Sequence, residues 1–214
     1  MPTLTRTEPE VRSSHLRGFR LPAVAGVDRV ALVPEQAVLL AGDRVTVAVR
    51  VGAGQALEIV EPGGTVAYAM RGGRARWDVR VEVEEGGSLV WHGEPFVVAE
   101  GADVRRTLAV DVAAGGSAVL RETLVLGRSG EGPGRLVSRT AVRHEELPVL
   151  VEELDTRVGL GAHRVVDQVL RVGVPGAADD HSMTLSSGDV LQRWLGSATH
   201  ASPLLTRQSS ARPE

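Results

Sequence analysis

Apolar and polar residues alternate along much of the chain, and the alternation predicts β-strands. In Val79–Glu84 the valines occupy every second position, and Arg80, Glu82 and Glu84 occupy the positions between them. The segment Val45–Val51 alternates in the same way. A period of two places the valines on one face of a strand and the polar residues on the other, so both segments are expected to be half-buried strands.

One pattern of strand, turn and strand occurs three times. The copies begin 32 and then 29 residues apart, and they are Val49–Leu57, Val81–Leu89 and Val110–Ala118. Each has a glycine where the chain must reverse, at Gly54, Gly86 and Gly115. Glycine adopts positive φ at little cost, which suits it to such turns. Repeats of this length are typical of stacked units that share one core.

The rest of the chain is less regular but also favours strands. The expected strands are Leu120–Leu126, Arg135–His144, Leu147–Leu154 and His163–Val174, and Ser187–Leu195 is either a strand or a short helix. We therefore predict a mainly β fold of antiparallel and mixed sheets, stacked or wound into a solenoid-like (β-helix-like) body. One or two short helices are expected near the C-terminus. The predicted organisation is a flexible segment 1–20, a single β scaffold domain 21–206 and a disordered tail 207–214.

Composition excludes several classes of function. The chain has 214 residues and a net charge of −3, so it has no overall positive field to attract nucleic acid or an anionic membrane. It has no cysteine and therefore no disulfide or thiolate metal site. Residues 1–15 are polar and charged, unlike a signal peptide, and the longest apolar run, Ala37–Ala41, is far shorter than a membrane span. We expect a cytoplasmic protein without membrane or nucleic-acid partners.

Histidines and carboxylates are the candidate metal ligands, but their spacing matches no known metal motif. His92 precedes Gly93 and Glu94 in an expected tight turn. His92 and Glu94 would be ligands in an alternative protein, a metal-dependent enzyme on a β-sandwich or cupin-like barrel. That enzyme needs three or four converging ligands, and the sequence identifies two. His144 and Glu146 would share one face of a strand, either as a metal site or as a solvated surface.

Several segments, taken in order, resemble the urease accessory protein D family (UreD, called UreH in some bacteria). They are Leu40–Arg44, Val49–Ile59, Glu61–Tyr68, Leu89–Phe96, Leu124–Glu131 and Ser187–Leu195. Leu124–Glu131, for example, is similar to the family's Leu-Gly-Arg-x-x-x-Gly-Glu segment. The resemblance extends over about residues 26–200.

The resemblance implies a non-catalytic β-scaffold for urease maturation. Such proteins bind the urease apoprotein and accessory protein F and, through F, the GTPase called accessory protein G. The resemblance also implies no tightly bound cofactor, with nickel in transit through the scaffold toward the urease active site. Buried polar residues between the sheets would line that passage, and the candidates are Asp43, Glu61, His92, Glu94, Glu122 and Glu131. A β-solenoid binding module with other partners is a third possibility, which co-purification would distinguish.

A cluster of arginines beside a tryptophan is the candidate partner interface. Arginine and tryptophan are favoured at interface hot spots. The residues are Arg71, Arg74, Arg76, Trp77 and Arg128, and Trp77 is expected to be exposed. A plain surface loop is the alternative. The interface hypothesis predicts that Arg76→Glu combined with Trp77→Ala weakens partner binding without unfolding the domain.

Overall fold

The computed structural model describes residues 8–36, 39–175 and 179–204, and these residues are mostly in strands. The strands are β1 (Glu10–Ser13), β2 (Leu16–Val24), β3 (Val27–Pro34), β4 (Arg44–Val51), β5 (Ala56–Val60), β6 (Thr65–Ala67), β7 (Ala75–Val83), β8 (Ser88–His92), β9 (Phe96–Val98), β10 (Asp103–Val112), β11 (Ser117–Leu126), β12 (Arg135–His144), β13 (Leu147–Asp155), β14 (Val165–Val172), β15 (Ser182–Thr184) and β16 (Val190–Gly196). A 3-10 helix, Thr199–Ala201, follows them.

Two sheets face each other and are built by one winding path. The front sheet has the order β1-β4-β7-β10-β12-β13, and the back sheet has the order β15-β16-β14-β11-β8-β5-β3-β2. Strands β4, β7, β10 and β12 are parallel neighbours in the front sheet. Strands β3, β5, β8 and β11 are parallel neighbours in the back sheet. The chain passes from front to back once per turn and adds a strand to each sheet, which makes it a β-solenoid, as predicted.

The three sequence repeats occupy successive turns of the solenoid in exact register. Val49 lies opposite Val81, and Val81 lies opposite Val110. The turn glycines of the three copies have φ of 65°, 65° and 66°. The turns also bond to one another, since the Gly54 N–H donates to the Glu85 carbonyl at 3.0 Å. The prediction of stacked supersecondary units is therefore confirmed.

The core lies between the sheets and consists mainly of aliphatic side chains. In β4 every second residue is buried, beginning with Val45, and β7 repeats this alternation from Ala75. Burying each such valine or leucine contributes about 1.5–3 kcal/mol to folding. The largest fully buried side chains include Leu39, Leu57, Ile59, Leu89, Leu136, Leu191 and Leu204. Trp77 and Phe96 add an edge-to-face pair with centroids 5.4 Å apart.

Antiparallel strands extend both sheets beyond the parallel turns. At one end β1 pairs with β4 and β2 pairs with β3. At the other end β13 pairs with β12, β14 pairs with β11, and β16 pairs with both β14 and β15. The sheets are therefore mixed, as the sequence predicted.

The two ends of the chain differ from the prediction in detail. The segment predicted as strand or helix at residues 187–195 contains all of strand β16 except its last residue, and the helical structure within residues 179–204 is the 3-10 turn alone. Part of the segment 1–20, predicted to be flexible, forms β1 and the start of β2, because both strands find partners in the sheets. Residues 1–7 and the predicted tail 207–214 lie outside the described residues. No helix among the described residues is long and apolar enough to cross a bilayer.

Candidate functional site

A small cavity lies between the sheets and combines apolar walls with charged groups. Its volume is about 40 Å³, which is room for about three water molecules at 10–15 Å³ each. The apolar lining includes Trp77, Val79, Trp91, Phe96, Leu108, Leu120 and Leu124, and the polar lining includes Glu61, Thr65, Glu94, Arg106, Glu122 and Thr123. A polar cavity of this size inside a β-solenoid core is the strongest candidate for a site.

Arg106 is the central charge of this cavity. The alternation of β10 turns it inward between Val104 and Leu108, and its side chain is only 9% exposed. Its Nη2 donates to the Glu122 carboxylate, which is 10% exposed. Its Nε and Nη1 have no hydrogen-bond partner among the described residues. An unsatisfied buried donor costs about 1–3 kcal/mol, so we expect water in the cavity to accept from these two groups.

A chain of polar contacts continues from Arg106 toward the surface. Gln168 Nε2 donates to Glu122 Oε2 at 2.9 Å, and Gln168 Oε1 accepts from Arg193 Nε at 3.0 Å. Arg193 Nη1 then donates to Glu152 Oε2 at 2.9 Å. We call these five residues the polar strip: Arg106, Glu122, Gln168, Arg193 and Glu152. The strip crosses between the sheets, because β10 and β13 belong to the front sheet and β11, β14 and β16 to the back sheet.

Glu61 also lines the cavity and lies just after β5. Its Oε1 accepts from Trp91 Nε1 at 2.7 Å, and its Oε2 accepts from the Glu94 N–H at 3.0 Å. Burial raises the pKa of Glu61 above its usual range, although both hydrogen bonds and the charge of Arg106 act in the opposite direction. The cavity is therefore lined both by a buried carboxyl with a raised pKa and by residues of the polar strip.

The raised pKa of Glu61 predicts a pH-dependent stability difference between the wild type and Glu61→Gln. The native state retains the Glu61 proton to a higher pH than the unfolded state, so ionisation costs stability as pH rises from about 4 through the native pKa. Glutamine does not ionise and avoids this loss. We expect the stability of Glu61→Gln relative to wild type to increase between about pH 4 and pH 7. Urea denaturation at several pH values measures it.

Glu85→Gln is the matched control, because Glu85 is exposed in a turn. Its stability relative to wild type should change much less over the same pH range. If the stability difference between Glu61→Gln and wild type stayed constant with pH, it would contradict the raised pKa assigned to Glu61.

The structure brings three of the six predicted passage residues to the cavity and leaves three elsewhere. Glu61, Glu94 and Glu122 border the cavity, with Glu94 exposed at its rim. The Asp43 carboxylate accepts from the Leu40 N–H at 2.9 Å in the turn before β4. His92 is half-buried at the end of β8, where burial lowers its pKa.

Glu131 belongs to a surface loop and not to the space between the sheets. Its carboxylate accepts from Arg128 Nε at 2.8 Å and from the Arg128 N–H at 3.1 Å. The Arg128 side chain is the main cause that lowers the pKa of Glu131 to about 2. Glu131 therefore stabilises the turn in which it lies.

Sequence reasoning missed most of the polar strip. Arg106 follows another arginine, which hides the fact that it occupies an apolar position of the alternation of β10. Gln168 lies within Val165–Val172, where almost every residue is buried. A polar residue in phase with core valines was the available signal for Arg106. No local sequence pattern indicates that Gln168, Arg193 and Glu152 belong to the same strip as Arg106.

The predicted partner interface is not a single exposed cluster. Trp77 is 5% exposed, so the prediction of an exposed side chain is wrong; the alternation of β7 places it with the core valines. Arg74 donates to Asp103 at 3.1 and 3.0 Å, and Arg128 is paired with Glu131. Arg71 and Arg76 are exposed, and the described residues offer neither of them an ion pair.

The histidines do not converge with carboxylates into a metal centre in the described part of the chain. Within these residues, no group of three or more His, Asp and Glu side chains is arranged to hold a metal ion. His144 Nδ1 instead lies 2.9 Å from Asp189 Oδ2. Glu145 and Glu146 form the turn between β12 and β13, with φ of 51° and 64°.

The architecture defines the class of protein as a β-solenoid with mixed sheets and a polar strip that crosses between them. Its sequence matches the family described as UreD urease accessory protein over residues 24–177. It is 45% identical over 161 residues to urease accessory protein UreD 1 of Streptomyces griseus, covering 72% of this chain and 63% of that protein. It is 37% identical over 163 residues to UreD of Streptomyces coelicolor, covering 71% of this chain and 64% of that protein.

A UreD 2 protein of Saccharopolyspora erythraea is 35% identical over 173 residues, covering 75% of this chain and 60% of that protein. The chain belongs to the UreD family of urease accessory proteins. The matched part of the chain spans about three fifths of the length of these relatives.

Proposed function

We propose that this protein is a non-catalytic scaffold for urease maturation in the cytoplasm. It binds the urease apoprotein and accessory protein F, and through F the GTPase accessory protein G, and it assists the delivery of nickel to the urease active site. Membership of the UreD family supports this role. The structural observation that carries the proposal is the polar strip with its cavity, which crosses between the two sheets.

The polar strip has the chemistry required for a metal ion in transit. A divalent cation between two apolar sheets would lose its hydration, and this is very costly unless protein groups replace the water. Glu122 and Glu152 of the strip and Glu61 of the cavity supply carboxylate oxygens, and Gln168 supplies an amide oxygen. Arg106 and Arg193 already bind two of these carboxylates. Competition from the arginines would keep nickel binding weak, so the ion passes on and is not trapped.

Deletion of the gene in the source cell tests the role. Urease activity should be lost, should return with the wild-type copy, and should be measured with and without excess nickel. A copy carrying Glu61→Gln should require more nickel for the same activity, because it lacks a carboxylate at the cavity. A copy carrying Glu85→Gln should behave as wild type. Unchanged urease activity after the deletion would overturn the proposal.

A further inference from the structure

We propose that the outer face of the front sheet binds the acidic face of a helix in a partner protein. The binding surface is a column of three arginines, Arg44, Arg76 and Arg105, with Arg139 beside it; it is named here the arginine column. This inference rests on the proposed scaffold role and specifies the chemistry of one partner. It concerns the outer face of the sheet and is separate from the polar strip inside.

The register of the solenoid creates the column. Arg44 lies opposite Arg76 on β4 and β7, and Arg76 lies opposite Arg105 on β7 and β10. Their spacing in the sequence, 32 and then 29 residues, equals that of the three repeats. Neighbouring strands are about 4.8 Å apart, so three guanidinium groups rise from a line about 10 Å long. Buried residues follow each arginine, and all three arginines are exposed.

Arg139 extends the column diagonally. It lies on β12 opposite Thr107, the residue that follows Arg105 by two positions on β10. Diagonal neighbours in a sheet are about 7–8 Å apart, within reach of long side chains. Arg139 is exposed and forms no ion pair with the described residues, although Glu153 lies opposite it in register on β13.

The other arginines of this face are neutralised, and this sets the column apart. The ion pairs on or beside the face are Arg50–Glu84, Arg74–Asp103, Arg80–Glu82, Arg135–Asp103 and Arg143–Asp111. In the column, Arg44 pairs with Asp78 at 3.1 Å, while Arg76 and Arg105 pair with no described residue. Like charges placed directly opposite each other in a sheet are unfavourable. Carboxylates from a partner would relieve this repulsion.

The spacing of the column identifies the partner as an acidic helix. An α-helix rises about 1.5 Å per residue, so glutamates at i, i+3 and i+7 of one face lie about 4.5 and 10.5 Å along it. These distances match the separations along the column. The planar guanidinium group binds a carboxylate through two parallel hydrogen bonds. On β4, β10 and β12 the next residues of this face are short, namely Thr46, Ala48, Thr107, Ala109 and Ala141, and on β7 they are Asp78 and Arg80, which form ion pairs within the face.

Fluorescence anisotropy with two synthetic helical peptides tests the inference on the full chain. Both peptides are alanine-rich and contain the same glutamates; one places them at i, i+3 and i+7 of one face, and the other distributes them around the helix. We expect the one-faced peptide to bind about tenfold more tightly, and its affinity to fall as salt screens the charges. Arg105→Glu and, separately, Arg76→Glu should each weaken this binding about tenfold.

Arg17→Glu is the matched control, because Arg17 is exposed on β2 of the back sheet and its charge change is the same. It should leave peptide affinity unchanged. Equal weakening by Arg17→Glu and Arg105→Glu would overturn the inference, since the effect would then be one of total charge. Equal affinity for the two peptides would also overturn it. A third result would also overturn the inference: a DNA oligonucleotide of equal charge binds more tightly than the one-faced peptide, and Arg105→Glu abolishes that binding.

The urease assay separates this inference from the proposed function. Full urease complementation by an Arg105→Glu copy that no longer binds the peptide would overturn the inference that the column docks a partner of the scaffold, and would leave the scaffold role intact. If the column binds the peptide but deletion of the gene leaves urease activity unchanged, the urease role is overturned and the docking surface stands.

Discussion

Replacing Glu122 with alanine is expected to lower the free energy of unfolding by about 3–5 kcal/mol, because Arg106 then becomes an uncompensated buried charge. The two side chains are 10% and 9% exposed, and Glu122 provides the acceptor for Arg106 Nη2. The substitution also removes the acceptor of the Gln168 amide. Urea denaturation followed by tryptophan fluorescence measures the change.

Two controls show whether burial causes this loss. Glu84→Ala removes the carboxylate of an exposed pair with Arg50 and should have a much smaller effect, because solvent screens such pairs. The double substitution Arg106→Met with Glu122→Leu should recover most of the stability, since apolar residues of similar volume commonly replace a buried ion pair without loss. A Glu122→Ala protein as stable as Glu84→Ala would contradict the burial argument.

Trp77→Ala is the second substitution with a large expected effect. Trp77 is 5% exposed and packs edge-on against Phe96 at the cavity wall. Truncating a buried tryptophan typically costs about 3–5 kcal/mol, from lost apolar contact and the cavity that remains. Thermal or urea unfolding of the purified variant measures the loss.

This expectation changes the interface test that the sequence suggested. Arg76→Glu with Trp77→Ala was predicted to weaken partner binding without unfolding the domain, but the buried position of Trp77 makes unfolding the expected result. Arg76→Glu alone is the useful control, because Arg76 is exposed on the outer face and should leave stability near wild type. If Trp77→Ala proved as stable as Arg76→Glu, the packing assigned to Trp77 would be wrong.

The strands and their stacking were predictable because the signal is local. In β4 and β7 the valines fall at every second residue, which reports both the strand and its buried face. The turn glycines then align the repeats, and this alignment fixes which residues lie opposite each other in successive turns. The arginine column follows from the same offsets, so the sequence contained it once the register was known.

The polar strip was less predictable because its contacts join residues far apart in the chain. Arg106 meets Glu122 across the two sheets, and Gln168 reaches Glu122 from β14, 46 residues later. The apolar run of β14 indicates that Gln168 lies in a buried strand but not which residues it faces. Glu61 was identified through the family resemblance, and its raised pKa comes from burial that a sequence pattern does not reveal.

The antiparallel strands at both ends of the solenoid have a consequence for self-association. A stack of parallel strands presents open backbone at its last coil, and another molecule could continue it into a fibre. Here the parallel run of the front sheet is flanked by β1 and β13, which run in the opposite direction. An incoming coil would meet a strand of reversed polarity and could not extend the parallel ladder. The antiparallel strands at the two ends therefore stop further stacking, and they allow a protein built from repeats to remain a discrete particle.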